Sequence, residues 1–86
     1  MSNTGPFTVS VDLGIALSRL VADENYKKPK IALRLDQPLT LGQLIKQLGI
    51  PEKYIGFVTV NGEKRGLDTV TRPGDNIILF PYITGG

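Results

Sequence analysis

The sequence has neither histidine nor cysteine. That removes the commonest general base near neutral pH, thiolate nucleophiles, disulfides and every cysteine-ligated metal site. The remaining reactive side chains are scattered. Asp68 and Asp75 stand beside turn residues and read as turn caps before they read as an acid–base pair. Lys27, Lys28 and Lys30 read as a solvated loop rather than a nucleic-acid patch, with a minor role open to them as acceptors of a conjugate. What stands out is the run Pro81-Tyr82-Ile83-Thr84-Gly85-Gly86. A free α-carboxyl group titrates at about 3.3–3.7 and is ionised at neutral pH. It is a poor electrophile until another enzyme activates it, for instance as an acyl-adenylate. Glycines suit an arm that must thread a narrow channel in a partner, because they have no side chain to clash. Ordering each residue of such an arm costs roughly 1–2 kcal/mol, so a partner would need a second hold on the folded body. Pro81 would lower that cost by fixing the root of the arm. Tyr82 and Ile83 are read evenly as partner contacts or as an extension of the last strand.

The elements that must position this arm follow from periodicity. Phe7, Val9, Val11 and Leu13 alternate with Thr8, Ser10 and Asp12, the period of a half-buried strand. After Gly14, the segment Ile15 to Ala22 reads as a short helix with Leu17, Leu20 and Val21 on one face. Asp23 to Lys30 reads as a loop. A second alternating strand follows, with Ile31, Leu33 and Leu35 inward. Thr40 and Gln43 have the spacing of a capping box. Leu41, Leu44, Ile45 and Leu48 then form one apolar stripe, and Gly49, Ile50 and Pro51 end the helix. Phe57 to Val60 reads as a strand with Phe57 in the core, Asn61-Gly62 as a tight hairpin turn, and Glu63 to Arg65 as a charged edge strand. After a wandering segment and a turn at Pro73-Gly74, the unbroken run Ile77 to Phe80 reads as a central strand buried on both faces. The organisation expected is a flexible N-terminus over 1–6, one domain over 7–80 and an extended tail over 81–86. The fold class is α+β: a mixed sheet of about five strands around one main helix, with a short helix after strand one.

Size and charge narrow the function further. Eighty-six residues make one core and leave no room for a deep substrate cavity. A net charge of +2 leaves little electrostatic footprint for nucleic acid. No apolar run approaches membrane-spanning length, and residues 1–6 lack a signal-peptide pattern, so a cytoplasmic protein is expected.

Taken together, Val60-Asn61-Gly62, Arg72-Pro73-Gly74-Asp75-Asn76-Ile77 and Phe80-Pro81-Tyr82-Ile83-Thr84-Gly85-Gly86 resemble the ubiquitin-like sulfur carriers of β-grasp fold. Within that family, the helix after strand one and the Phe-Pro before the tail look more like the small subunit of molybdopterin synthase than the thiamine-pathway carrier. The resemblance implies a carrier with no catalytic side chain or bound cofactor of its own. Gly86 would be adenylated by an ATP-dependent, ubiquitin-activating-like enzyme and converted to a thiocarboxylate by a sulfur donor protein. The tail, Pro81 to Gly86, would then enter an acceptor such as the large subunit of molybdopterin synthase. Carriage of sulfur for thiamine or tRNA thiolation, modification of target lysines, and a plain β-grasp binding module in which the tail is incidental are the alternatives.

Overall fold

The computed structural model describes residues 5–82. In chain order the elements are β1 (Phe7–Asp12), α1 (Gly14–Ser18), β2 (Lys30–Leu35), α2 (Leu41–Leu48), β3 (Ile55–Val60), β4 (Glu63–Arg65) and β5 (Asn76–Pro81). Single 3₁₀ turns precede β2 and β3, at Glu24–Tyr26 and Glu52–Tyr54. The strands form one five-stranded sheet in the order β2-β1-β5-β3-β4. β1 and β5 run parallel, while the other neighbouring pairs are antiparallel. This is the mixed sheet around one main helix expected from the element order, in the ubiquitin-like β-grasp arrangement that the resemblance implies.

α2 forms where its local chemistry dictates. Thr40 Oγ1 accepts from the Gln43 N–H, and Gln43 Oε1 accepts from the Thr40 N–H, which satisfies two N-terminal donors reciprocally. The wandering segment supplies two more acceptors: Leu41 N–H donates to the Thr69 carbonyl and Gly42 N–H to the Leu67 carbonyl. Buried Thr71 fastens that segment, its hydroxyl accepting from Leu39 N–H and donating to the Leu39 carbonyl. At the other end Gly49 takes φ +80°, and Ile50 N–H folds back on the Ile45 carbonyl. Leu41, Leu44, Ile45 and Leu48 are all buried. They meet Val9, Val11, Leu33, Leu35, Val58, Val60, Ile77 and Leu79 from one face of the sheet.

Five expectations need correction. The first helix ends at Ser18, not Ala22. Leu17 and Val21 reach the core, but Leu20 is exposed, because the chain leaves the helix to let Ala22 N–H donate to the Leu48 carbonyl. A tertiary bond to the end of α2 has overruled a weak local periodicity. β2 opens at Lys30, the residue that closed the expected loop, and β3 opens at Ile55, two residues before the expected start. β5 is central as expected, yet only Ile77 and Leu79 are buried, with Ile78 and Phe80 half-exposed. α2 covers one face of the sheet and leaves the other open. Phe57 lies on that open face, 40% exposed, and so is not part of the core.

The remaining expectations of local structure hold, save the turn cap expected of Asp68. Asn61 and Gly62 both have positive φ, 53° and 86°, as a type I′ turn requires. Glu63, Lys64 and Arg65 are exposed on the edge strand. Asp75 caps its turn, accepting from Arg72 N–H at 2.8 Å and from Asn61 Nδ2 at 3.0 Å; no such bond is found for Asp68 among the described residues. The Lys27 ammonium pairs with Glu24 on the surface.

Candidate functional site

β5 carries the chain from the middle of the sheet to its last described residue, and both ends of the strand are held. At the start, Asn61 N–H donates to the Asn76 carbonyl at 2.8 Å, and Asn76 N–H donates to Asn61 Oδ1 at 2.9 Å. The hairpin turn that joins β3 to β4 therefore also fixes where β5 begins. At the far end Tyr82 N–H donates to the Tyr54 carbonyl at 2.8 Å. Pro81 is still within β5, in register with Ile55. The arm is thus rooted after Tyr82 rather than at Pro81.

Proline tolerates this place for a geometric reason. Alternate N–H groups of a strand point to opposite neighbours. Since Tyr82 donates toward β3, residue 81 would donate toward β1. Pairing with β1 ends at Asp12 and Ile78, so the missing N–H of Pro81 leaves no ladder bond unmade.

Gly56 is the residue of this site that the sequence reading missed. β3 shifts register between Ile55 and Phe57, so Gly56 sits in an irregularity facing the exit of β5. A Cβ there would stand 3.2 Å from Tyr82 Cα and 2.9 Å from the Pro81 carbonyl oxygen, the latter closer than real Cβ atoms come. Only glycine lets the two backbones approach this far. The signal was present, since an isolated Gly inside an apolar strand pattern marks a bulge or a close backbone approach.

Around this root the surface is aromatic. Tyr82 is 62% exposed and Tyr54 43%. One step further into the sheet, Phe57 stacks on Phe80 with centroids 4.3 Å apart and rings within 10° of parallel. Lys64 Nζ lies 5.3 Å from the Phe57 centroid, and Lys53 Nζ lies 5.4 Å from that of Tyr54. Such contacts hold ammonium groups against ring faces at modest gain.

Of the residues expected in the tail, Pro81 and Tyr82 are therefore placed together at the end of β5, Pro81 inside the strand and Tyr82 just beyond it. Ile83, Thr84, Gly85 and Gly86 lie outside the described residues. Among the described residues no cluster of three or more Asp and Glu is arranged to hold a metal ion, and no helix is long and apolar enough to cross a membrane.

Solved structures share this architecture. The HVO 2177 protein of Haloferax volcanii superposes with a TM-score of 0.69 at 22% identity, over 100% of this chain and 92% of its own. Small archaeal modifier protein 1 of the same organism gives 0.65 at 21% identity, over 90% of this chain and 99% of its own. Urm1 of Trypanosoma brucei gives 0.59 at 22% identity, with 100% of both chains covered. At these identities the likeness is one of fold. Comparison with curated proteins gives no match. The sequence itself matches the Mut7-C ubiquitin family over residues 8–85, from the first strand to the penultimate glycine. This chain, with its rooted β5 and its β-grasp sheet, belongs to the Mut7-C ubiquitin family.

Proposed function

We propose that the protein is a sulfur carrier whose reactive group is the α-carboxylate of Gly86. The observation that supports this most is the rooting of β5: a strand held on both sides delivers the chain to the surface at Tyr82, four residues before Gly86. Fully extended, that stretch reaches at most about 14 Å at 3.3–3.6 Å per residue. The body must then sit close against whatever enzyme handles the carboxylate.

The chemistry balances as two displacements in the partner. The Gly86 carboxylate attacks the α-phosphorus of ATP and releases pyrophosphate, leaving a glycyl adenylate. Sulfide released by a donor protein then attacks the glycyl carbonyl carbon and displaces AMP, leaving a thiocarboxylate. That sulfur passes to an acceptor, which we place in molybdopterin synthesis. The helix that follows β1, though only Gly14–Ser18, supports that branch over a thiamine-pathway carrier. The protein supplies the scaffold and the carboxylate; the activating enzyme binds the ATP.

Intact mass of the protein taken from its own cells should first show a chain ending in an unblocked Gly86. Incubation with its adenylating enzyme, ATP and a sulfur source should then replace one oxygen by sulfur, with the change lost when Gly86 is deleted. A chain that continues past Gly86, or transfer that survives the deletion, overturns the reading.

One observation favours a second use of the same carboxylate, as a ubiquitin-like modifier joined to target lysines. A structure of the same fold bears the name of a modifier protein. Higher-mass covalent adducts in cells, cleaved to a Gly-Gly remnant on lysine, would establish it.

A further inference from the structure

The bond network that starts β5 is made by a side chain that can react with its own backbone. Asn61 is the only asparagine of the chain followed by glycine. In such a pair the glycine nitrogen can attack the asparagine Cγ, because glycine has no side chain to shield it. Ammonia leaves and a five-membered imide forms; water then opens the ring at either carbonyl, giving aspartate or isoaspartate. One water is consumed and one ammonia released, so nothing but solvent is needed.

Steric cover does not guard this turn. Asn61 and Gly62 are both exposed, and beyond the chain neighbours no atom stands within 4 Å of where a Cβ on Gly62 would be. What holds the amide is hydrogen bonding. Asn61 Nδ2 donates to Asp75 Oδ1 at 3.0 Å, and Asn61 Oδ1 accepts from Asn76 N–H at 2.9 Å. A backbone N–H can only donate, so the amide oxygen must face Asn76 and the amide nitrogen Asp75. Asp75 is itself buried, and its second oxygen accepts from Arg72 N–H at 2.8 Å. The amide is thus pinned to the start of β5. The imide closes only when both bonds break and the amide swings back over the Gly62 nitrogen.

The product does not fit the place of the reactant. In aspartate, an oxygen replaces the donor that faced Asp75, and two carboxylates then stand about as close as the original bond. In isoaspartate, the main chain gains a methylene inside a two-residue turn whose geometry sets the hairpin register. We propose that Asn61 is a self-modification site. The folded chain protects the amide through Asp75 and Asn76; deamidation marks chains that have opened and unlatches the start of β5 in them. Nothing in this depends on the chemistry of Gly86, so it stands or falls separately from the carrier reading.

The test follows deamidation of the full chain at mildly alkaline pH, in buffer and in denaturing urea. Intact mass reads the exchange of NH₂ for OH, and peptide mapping locates it. The unfolded chain should react at Asn61 about tenfold faster than the folded one, or more. Asp75→Asn, nearly isosteric, sets two donors face to face and should speed the reaction of the folded chain about three- to tenfold. Asn61→Asp, which imitates the product, should lower the thermal midpoint by about 5–10 °C. Adding Asp75→Asn to that variant should restore most of the loss, since the pair is then one carboxylate and one amide again. Should Asp75→Asn alone fail to fold, the paired variant and the rates in buffer and urea decide. Equal rates in buffer and urea, earlier reaction at Asn25 or Asn76, a folded Asp75→Asn chain that reacts no faster, Asn61→Asp as stable as the parent, or no rescue in the paired variant each overturns the proposal.

Discussion

The two faces of this sheet are built from the same strands, and adjacent residues of one strand serve opposite ends. On the α2 side, Val9, Val11, Leu33, Val58, Ile77 and Leu79 are each no more than 2% exposed. On the other side, the positions between them hold hydroxyls, charges and one aromatic stack. Hydrophobic burial accounts for the first set at roughly 25 cal/mol per Å² of apolar surface removed from water. It accounts poorly for the second, because Phe57 and Phe80 remain in contact with solvent. The open face is therefore expected to contribute less to stability than the face under α2. The difference separates residues whose burial holds the scaffold together from residues that stay in contact with water.

The sharpest break in that comparison comes from the buried face. Leu44→Ala, at a fully buried position on α2, should lower stability by about 2–5 kcal/mol, seen as a fall in the urea midpoint at unchanged slope. Gly56→Ala forces a Cβ against the backbone of Pro81 and should cost about 1–3 kcal/mol. It should also release the Tyr82 amide from its bond to Tyr54, read as faster hydrogen exchange at that one site while core amides stay protected. If Tyr82 protection survived, the close approach at Gly56 would not be what roots the arm. Phe57→Ala removes an aromatic pair on the open face and should cost only about 0.5–1.5 kcal/mol. A loss as large as that of Leu44→Ala would mean that the two faces do not divide the labour. Lys64→Glu is the smallest, within about 0.5 kcal/mol, and a thermal melt should barely move even though the charge of the open face is reversed there.

The scaffold is largely legible in the sequence because its signals are local or strictly periodic. The capping box of Thr40 and Gln43, the stripe of α2, the Asn61-Gly62 turn and the alternation in β1 and β2 all depend on neighbours within a few residues. Where that legibility fails, a distant contact wins. Leu20 follows a helical period, but the chain turns away from it to bond Leu48. The run Ile77 to Phe80 points to the correct central place for β5, yet continuous apolarity does not reveal how many faces a helix will cover. Phe57 reads as core because an aromatic residue in a strand carries no mark of which side it will take.

The amino-acid sequence by itself determined the element order, the caps and turns, the absence of histidine and cysteine chemistry, and the Gly-Gly pair that draws attention to Gly86. These are properties of residue type and short spacing, present before any long-range contact exists. Only the tertiary structure decided that the sheet has one open face, that Phe57 meets Phe80 there under Lys64, and that Gly56 brings β3 against the exit of β5. Those facts depend on strand order and register, which join residues far apart in the chain. Such pairings are fixed by the packing of the whole core, and no local stretch of sequence encodes them.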